Sequence, residues 1–505
     1  MNERRIAVVT GSRAEYGILH RLIGLLHRDA AIELQLIATG THLSERHGMT
    51  LRTYGGPQRR SRCNERCRSD DPAALDAYAG PSYVCRLSFH GFTGGASPRS
   101  VLDQHSLQRG AWGGDMNERR IAVVTGSRAE YGILHRLIGL LHRDAAIELQ
   151  LIATGTHLSE RHGMTLREIE ADGFPIAAKV DMELGADDAA GLAEAMGRGL
   201  GGFGRAFAEL KPDIVVVLGD RYEILAAAEA AMLARLPIAH IHGGEASEGQ
   251  IDEAIRHALT KMAHYHFVAA EPYRRRVIQM GEDPSRVFNV GAPGLDPLTE
   301  EDMADPQDIL AELGVRGAGG PLFLVTYHPV TLAGEAGEAA AQLLGALDVF
   351  PDARIIFTGT NADTAGEEIA RLIEAYAVRH APRTVCVQSL GRRRYGTVLR
   401  AADAVIGNSS SGIIEAPAVG TPTVNIGPRQ QGRLRAPCVI DCDAESGAIV
   451  AAIRHALSDE IQAQAARCET PYGRGGASER IYEKLRELPL ENILMKRFYE
   501  LEVPA

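Results

Sequence analysis

From residue 120 onward, short apolar runs alternate with longer stretches in which apolar positions recur every three or four residues. RIAVVTGS (120–127) is a strand-length run closed by glycine and serine, and AEYGILHRLIGLLHRD after it has apolar residues at helical spacing. LQLIATG (149–155) predicts the next strand. This β-α-β unit requires parallel strands and a right-handed crossover. The alternation continues with an alanine- and glycine-rich helical stretch (181–210), a buried strand DIVVVLGD (213–220), a helix Tyr222–Ala234 and a strand PIAHIHGG (237–244). A helix Asp252–His264, a strand HFVAA (266–270) and a helix from Glu271 follow, and the domain closes near VFNVGAPGLDP (287–297). A second series begins at PLFLVTYHP (321–329), with ARIIFTGT (353–360), TVCVQSL (384–390), ADAVIGNSSSG (402–412) and PTVNIG (422–427) as strands. The pattern predicts an α/β protein of two Rossmann-like, doubly wound domains, 116–297 and 298–475, facing each other across a cleft. The last segment, 476–505, carries a helix (476–488) that crosses back to the first domain.

A repeat precedes this series. Met1–Arg52 and Met116–Arg167 are identical at every position. Structural repeats ordinarily diverge and stack several times, whereas this one occurs twice, unchanged, each copy opening on methionine. Residues 53–115 between the copies hold eight arginines, no lysine, three of the seven cysteines and the single tryptophan, Trp112, without helical or strand periodicity. The expectation is a recent duplication or an assembly error, with 53–115 disordered or non-native; a genuine regulatory extension is the alternative. One strand position cannot hold two identical strands. The second copy runs on into the rest of the fold, so 1–52 is expected to be redundant and 116–505 to be the working protein.

The composition, 45% hydrophobic and 24% charged, is that of a soluble globular chain. A net charge of −11 argues against nucleic acid or an anionic membrane as the main partner, while a small anionic ligand needs only a few local donors. With no apolar run of about 18 residues and no signal-peptide pattern at the start, the expected location is cytoplasmic. The cysteines form no CxxC pair, so neither zinc, nor any other metal, nor a disulfide framework is expected.

Candidate chemistry gathers at the strand ends. Leu218–His257 places Asp220, Arg221, Glu223, His242, Glu245, Asp252, Arg256 and His257 on the ends of two strands and the helix that follows. Strand ends are also polar for plain solvation reasons, so each residue alone carries either reading. GSRAEY (126–131) is not GxGxxG, which weakens a dinucleotide reading, but Arg128 at a helix N-terminus can meet a phosphate. GNSSSGIIE (407–415) is more specific: Ser409, Ser410, Ser411 and Gly412 present hydroxyls and backbone N–H groups at a strand-to-helix turn. Glu415 lies one turn further on, placed to accept both hydroxyls of a ribose. His328, in HPVT, follows a strand and faces the cleft or caps a turn, and Asn361 with Asp363 and Thr364 binds substrate or caps the next helix.

GSRAEYG, GDRYE, HIHGGE, IDEAIRHALTKMAHYH, YHPVT, GNSSSGIIEAP and GPRQQGR occur in this order over 116–505. Together they resemble the hydrolysing UDP-N-acetylglucosamine 2-epimerases of sialic acid and legionaminic acid biosynthesis. The resemblance implies a GT-B fold, a UDP-sugar in the cleft, no cofactor, and a dimer or tetramer. It implies that Ser409–Ser411 hold the diphosphate and Glu415 the ribose, with Arg128 and Arg429 as further anion contacts and His328 at the sugar-linked phosphate. Arg221, Asn361 and Gly412 join them as substrate-binding candidates. Asp220 and Asp252 match acidic residues around the sugar. His242 stands where relatives with the HIEGGE form have glutamate, so one acid/base is open between Glu245 and His242. The acid/base set implied is Asp220 with Asp252 or Glu245, the base open among these three, with His328 and Arg128 stabilising UDP. The implied reaction removes the C2 proton, expels UDP to give a glycal and adds water. The first expectation is conversion of UDP-N-acetylglucosamine to N-acetylmannosamine and UDP. The alternatives are a hydrolysing UDP-N,N′-diacetylbacillosamine 2-epimerase, a non-hydrolysing epimerase, a glycosyltransferase of the same fold, and an inactive sugar-nucleotide binding protein.

Overall fold

The computed structural model describes residues 4–29, 31–40, 83–84, 118–185, 188–247, 251–299, 304–317, 319–329, 336–359, 366–388 and 390–501. The chain divides into two units, Met1–Ala111 and Trp112–Ala505. In the first, β1 (Arg4–Thr10), α1 (Arg13–Arg28) and β2 (Ile32–Ala38) form a β-α-β unit with parallel strands. A two-residue strand, β3 (Tyr83–Val84), pairs antiparallel with the end of β2. Apart from Tyr83 and Val84, the segment 53–115 lies outside the described residues.

The second unit opens with the same sequence again: β4 (Arg119–Thr125), α2 (Arg128–Arg143) and β5 (Ile147–Thr154). Register and caps match between the copies. In both, a serine (Ser12 or Ser127) caps the helix by accepting from the glutamate N–H three residues on. Burial does not match. Val9 is 58% exposed and Leu22 48%, whereas their counterparts Val124 and Leu137 are 0% and 1% exposed. The local sequence therefore suffices for the β-α-β path, and surroundings decide whether each apolar side chain gains the roughly 1.5–3 kcal/mol of burial.

Beyond β5 come α3 (Leu166–Ala171), β6 (Ile176–Val180), α4 (Ala189–Leu210), β7 (Ile214–Leu218), α5 (Tyr222–Leu233), β8 (Ile238–Ile241), α6 (Asp252–Met262), β9 (Tyr265–Val268), α7 (Glu271–Gln279) and β10 (Val287–Asn289). The long helix starts later than its composition predicts, because Asp188 caps it by accepting from the Gly191 N–H at 2.7 Å. The strands form one parallel sheet in the order β6-β5-β4-β7-β8-β9-β10. A second series follows: α8 (Pro306–Glu312), β11 (Leu322–Thr326), α9 (Ala336–Leu347), β12 (Arg354–Thr358), α10 (Gly366–Arg379), β13 (Thr384–Val387), α11 (Gly391–Ala401), β14 (Ala404–Gly407), α12 (Ser410–Ala418), β15 (Thr423–Ile426) and β16 (Val439–Cys442). Its parallel order is β13-β12-β11-β14-β15-β16.

In both sheets the chain winds one way from its first strand and then the other. Direction reverses between β4 and β7 and between β11 and β14, and loops leaving such a pair diverge to open a crevice at the carboxyl ends. Three helices close the chain: α13 (Ser446–Ala456), α14 (Asp459–Ala465) and α15 (Ala477–Glu487). The last returns to the first sheet, where Arg119 donates to the Leu485 carbonyl at 2.6 Å and Tyr265 to that of Pro489 at 2.6 Å. An apolar cluster including Tyr273 and Val277 from the first half and Leu324 and Leu399 from the second packs the halves together. Among the described residues no helix is long and apolar enough to cross a membrane.

Candidate active site

At the first reversal point, β4 ends in Gly126-Ser127. Ser127 accepts from the Glu130 N–H at 3.3 Å, and Glu130 Oε2 accepts from the Gly126 N–H at 2.7 Å, a reciprocal cap. Glycine is required at 126, since a Cβ there would stand 2.4 Å from Glu223 Cγ. Glu130 and Glu223 are thus buried under one loop. Burial, and then the charge of Glu223, pushes the Glu130 carboxyl well above the usual range, so it keeps its proton at neutral pH. Arg128, the first residue of α2, pairs with Glu168 at 2.9 Å.

After β7 the chain turns at Gly219 and presents Asp220, whose carboxylate is bonded to Arg256. Arg256 is a buried guanidinium of α6 that also donates to Glu253 at 2.7 Å and to Ser247 Oγ at 2.6 Å. Burial, then the nearby Arg433, lowers it to about 9, still charged at pH 7, with its charge compensated by carboxylates. The turn is pinned from beneath by His240, which burial pulls down to about 4. The neutral ring donates from Nε2 to the Gly219 carbonyl at 2.7 Å. Arg221 lies 3.8 Å from Glu223 and 3.9 Å from Asp252.

β8 runs into His242, which holds a left-handed backbone at φ 68°. Histidine is one of the few side chains found there with any frequency. Its Nδ1 is hydrogen-bonded to Glu245 Oε1, while Nε2 is buried with no hydrogen-bond partner among the described residues.

The second reversal point is built from β11 and β14. Gly407, at φ 136°, lets the strands close up: a Cβ there would stand 1.9 Å from the Thr326 carbonyl oxygen. Asn408 then clamps the two loops, accepting from the His328 N–H at 2.7 Å and donating to the His328 carbonyl at 2.8 Å. The Asn408 carbonyl in turn accepts from Arg429 at 3.2 Å and Gln430 at 2.8 Å. Ser409 caps α12 by accepting from the Ser411 N–H, and Ser410 is the first helical residue. Gly412 packs against β15, where a Cβ would meet Thr423 at 2.8 Å. The Ser411 hydroxyl donates to Glu415 and is met by Tyr395. Burial raises the Glu415 carboxyl despite that bond.

The two sets of strand ends meet. Arg433, just beyond β15, pairs with Glu245 Oε2 at 3.0 Å. Burial pushes the Glu245 carboxyl up, but Arg433 and His242 outweigh it and hold the group below the usual range. Arg128 comes within 3.5 Å of where a side chain on Gly391 would begin. Beside Arg433, the Tyr273 and Tyr472 hydroxyls lie 3.0 Å apart, and the Leu434 N–H donates to Tyr273 at 3.1 Å.

Every candidate residue from the sequence that falls among the described residues stands at one of these strand ends or on the turn or helix following it: Asp220, Arg221, Glu223, His242, Glu245, Asp252, Arg256, His257 and Arg128 in the first half, His328, Ser409–Gly412, Glu415 and Arg429 in the second. Asn361, with Asp363 and Thr364, lies outside the described residues. Sequence reasoning named Arg256 among the strand-end candidates without a role and did not single out Arg433, Asn408 or Tyr395. Arg433 and Asn408 sit inside motifs already singled out, so the signal was present, but their partners lie far away in sequence. Among the described residues no group of His, Cys, Asp and Glu comes together as a metal site.

A family model described as UDP-N-acetylglucosamine 2-epimerase matches residues 140–486. The chain is 40% identical to a GDP/UDP-N,N′-diacetylbacillosamine 2-epimerase (hydrolyzing) of Campylobacter jejuni over 65% of this chain and 85% of that protein. It is 37% identical to the UDP-N,N′-diacetylbacillosamine 2-epimerase (hydrolyzing) of Legionella pneumophila over 75% of this chain and 98% of that protein. Among solved structures, the UDP-GlcNAc 2-epimerase of Neisseria meningitidis bound to UDP-GlcNAc superposes with a TM-score of 0.63 at 18% identity, covering 73% of this chain and all of that one. That likeness, with the two doubly wound sheets, establishes the GT-B fold. By the family match and these relatives, the chain belongs to the UDP-N-acetylglucosamine 2-epimerase family.

Proposed function

We propose that the protein is a hydrolysing 2-epimerase acting on UDP-N,N′-diacetylbacillosamine, releasing UDP and the free sugar inverted at C2. The observation that carries this reading is the similarity to two proteins named for that hydrolytic reaction over most of their length. The expectation of UDP-N-acetylglucosamine as first substrate gives way to it. That sugar nucleotide is the second reading, favoured by the description of the family as a whole.

The site suits the chemistry. The N-terminus of α12 offers backbone N–H groups with the Ser409 and Ser410 hydroxyls to a diphosphate. Ser411 orients Glu415 for the ribose, Arg128 and Arg429 add positive charge, and His328 is clamped beside the same loop by Asn408. The leaving UDP is thereby met by donors fixed in place before reaction. Inversion at C2 requires the proton to leave from one face of the sugar and return to the other, hence two proton-handling groups. His242 and Asp220, at strand ends of the first half, and Asp252, the first residue of α6, are the candidates.

Incubation of the protein with each UDP-sugar, with products read by NMR, tests the reading. UDP and a C2-inverted free sugar are expected from the diacetylbacillosamine nucleotide, at a higher kcat/KM than from UDP-N-acetylglucosamine. The reverse preference selects the second reading. A product still linked to UDP identifies a non-hydrolysing epimerase, and nucleotide binding without turnover identifies a binding protein.

A further inference from the structure

We infer that Arg433 is a positioning residue in a relay, Arg433–Glu245–His242, that leaves His242 Nε2 as the atom that takes the C2 proton. The inference rests on the reading of the protein as a UDP-sugar 2-epimerase.

Engagement of the carboxylates narrows the choice of base. Both oxygens of Glu245 are committed, Oε1 to His242 and Oε2 to Arg433. Glu245 therefore orients a neighbour and does not itself reach substrate. Asp220 is bound to the buried Arg256, whose positive charge opposes its taking a proton. His242 differs from both: one ring nitrogen is fixed by a carboxylate, and the other is buried with no hydrogen-bond partner among the described residues. The left-handed φ at His242 turns it toward Glu245 three residues on, a locally disfavoured backbone of the kind that concentrates at working sites.

Arg433 controls which nitrogen carries the proton. While Glu245 is ionised it accepts from Nδ1–H, and the neutral ring keeps its lone pair on Nε2. Burial by itself would favour protonated Glu245, and Arg433 is the largest influence in the other direction. Without Arg433 a protonated Glu245 donates to Nδ1, the ring hydrogen moves to Nε2 and the base is lost. Arg433 belongs to the second half of the fold and Glu245 to the first, so the base is set only when the halves are together.

In the step itself, the Nε2 lone pair takes the C2 proton. The C2–H electron pair becomes the C1=C2 double bond, and the C1–O bond breaks with its pair leaving on UDP. The imidazolium, stabilised by Glu245, passes its proton to water. A second group returns a proton to C2 from the other face as water adds its hydroxyl to C1, and the proton that water gives up restores the second group.

The test uses the full chain with Arg433→Met, Arg433→Lys, Glu245→Gln and the double variant Arg433→Met/Glu245→Gln. UDP release, UDP affinity and the kinetic isotope effect with C2-deuterated substrate are measured, and thermal melting reports folding. Arg433→Met and Glu245→Gln are expected to lose kcat by about a hundredfold or more, with a larger isotope effect and nearly unchanged UDP affinity. The double variant should lose no more than either single one, because all act through one atom, and Arg433→Lys should recover part of the loss. Unchanged kcat, losses that multiply in the double variant, or equal losses of kcat and UDP affinity in folded variants overturn the relay alone. Wild-type protein that releases no UDP from either sugar nucleotide overturns both the relay and the reading of function. Should Arg433→Met fail to fold, Arg433→Lys and Glu245→Gln decide the same question.

Discussion

Glu130 serves two surroundings with one carboxyl group. One oxygen completes the cap of α2 on the Gly126 N–H, and the group as a whole is buried beside Glu223, which favours the protonated form. Because its value is raised on folding, the unfolded chain gives up this proton at lower pH than the folded one. Stability from this group is thus fully present below the ordinary carboxylate range and falls as pH rises through the raised value. Glutamine keeps the accepting oxygen and has no proton to lose. Glu130→Gln is expected to lie within about 1 kcal/mol of the parent at pH 4 and to be the more stable protein at pH 9, as measured by urea unfolding at both. A difference between variant and parent that is the same at pH 4 and pH 9 would remove the basis for a shared proton. The Ser-x-x-Glu spacing carries a signal of the capping role that the sequence reading did not use; the second role has no such signal, because it depends on Glu223, far along the chain.

The buried central strands were fully legible, and the edge strands only in part. The central strands β4, β7, β11 and β14 are continuous apolar runs and stand out. β6, β10 and β16 do not, and each lies at the edge of its sheet, where strands are short and less completely covered. The junction of β14 with α12 shows what an element end must supply for the site. Gly407 lets β14 approach β11, and the approach is what lets Asn408 hold the His328 loop. In Gly407→Ala the added carbon would meet a backbone oxygen, which cannot swing aside as a side-chain tip can. A loss of about 3 kcal/mol or more is expected from denaturant unfolding, with UDP affinity lost in whatever folded protein remains. A change below about 1 kcal/mol would mean that the strands need not be so close.

At the scale of the molecule, strand-helix alternation was enough to read two doubly wound halves, and the titratable residues at the predicted strand ends were enough to point to the site. How the halves close on one another was not readable, because it rests on side chains such as Arg433 and Glu245, Tyr273 and Tyr472, that no periodicity links. The repeat was plain in the sequence, yet the sequence could not say that its first copy would keep the local fold without the burial. β4 is hydrogen-bonded to a strand on each side, β5 and β7, whereas β1 pairs with β2 at the edge of its small sheet. The peptides Ile6–Arg13 and Ile121–Arg128 are one sequence and so one mass. In an amide hydrogen-exchange experiment on the intact chain they fall on a single signal, which is expected to split with time into two isotope envelopes of equal area, one fast from β1 and one slow from β4. A single envelope at every time would show that the two copies share one protection. Any mass-based map of this protein must treat each peptide inside the repeat as two molecules weighed together.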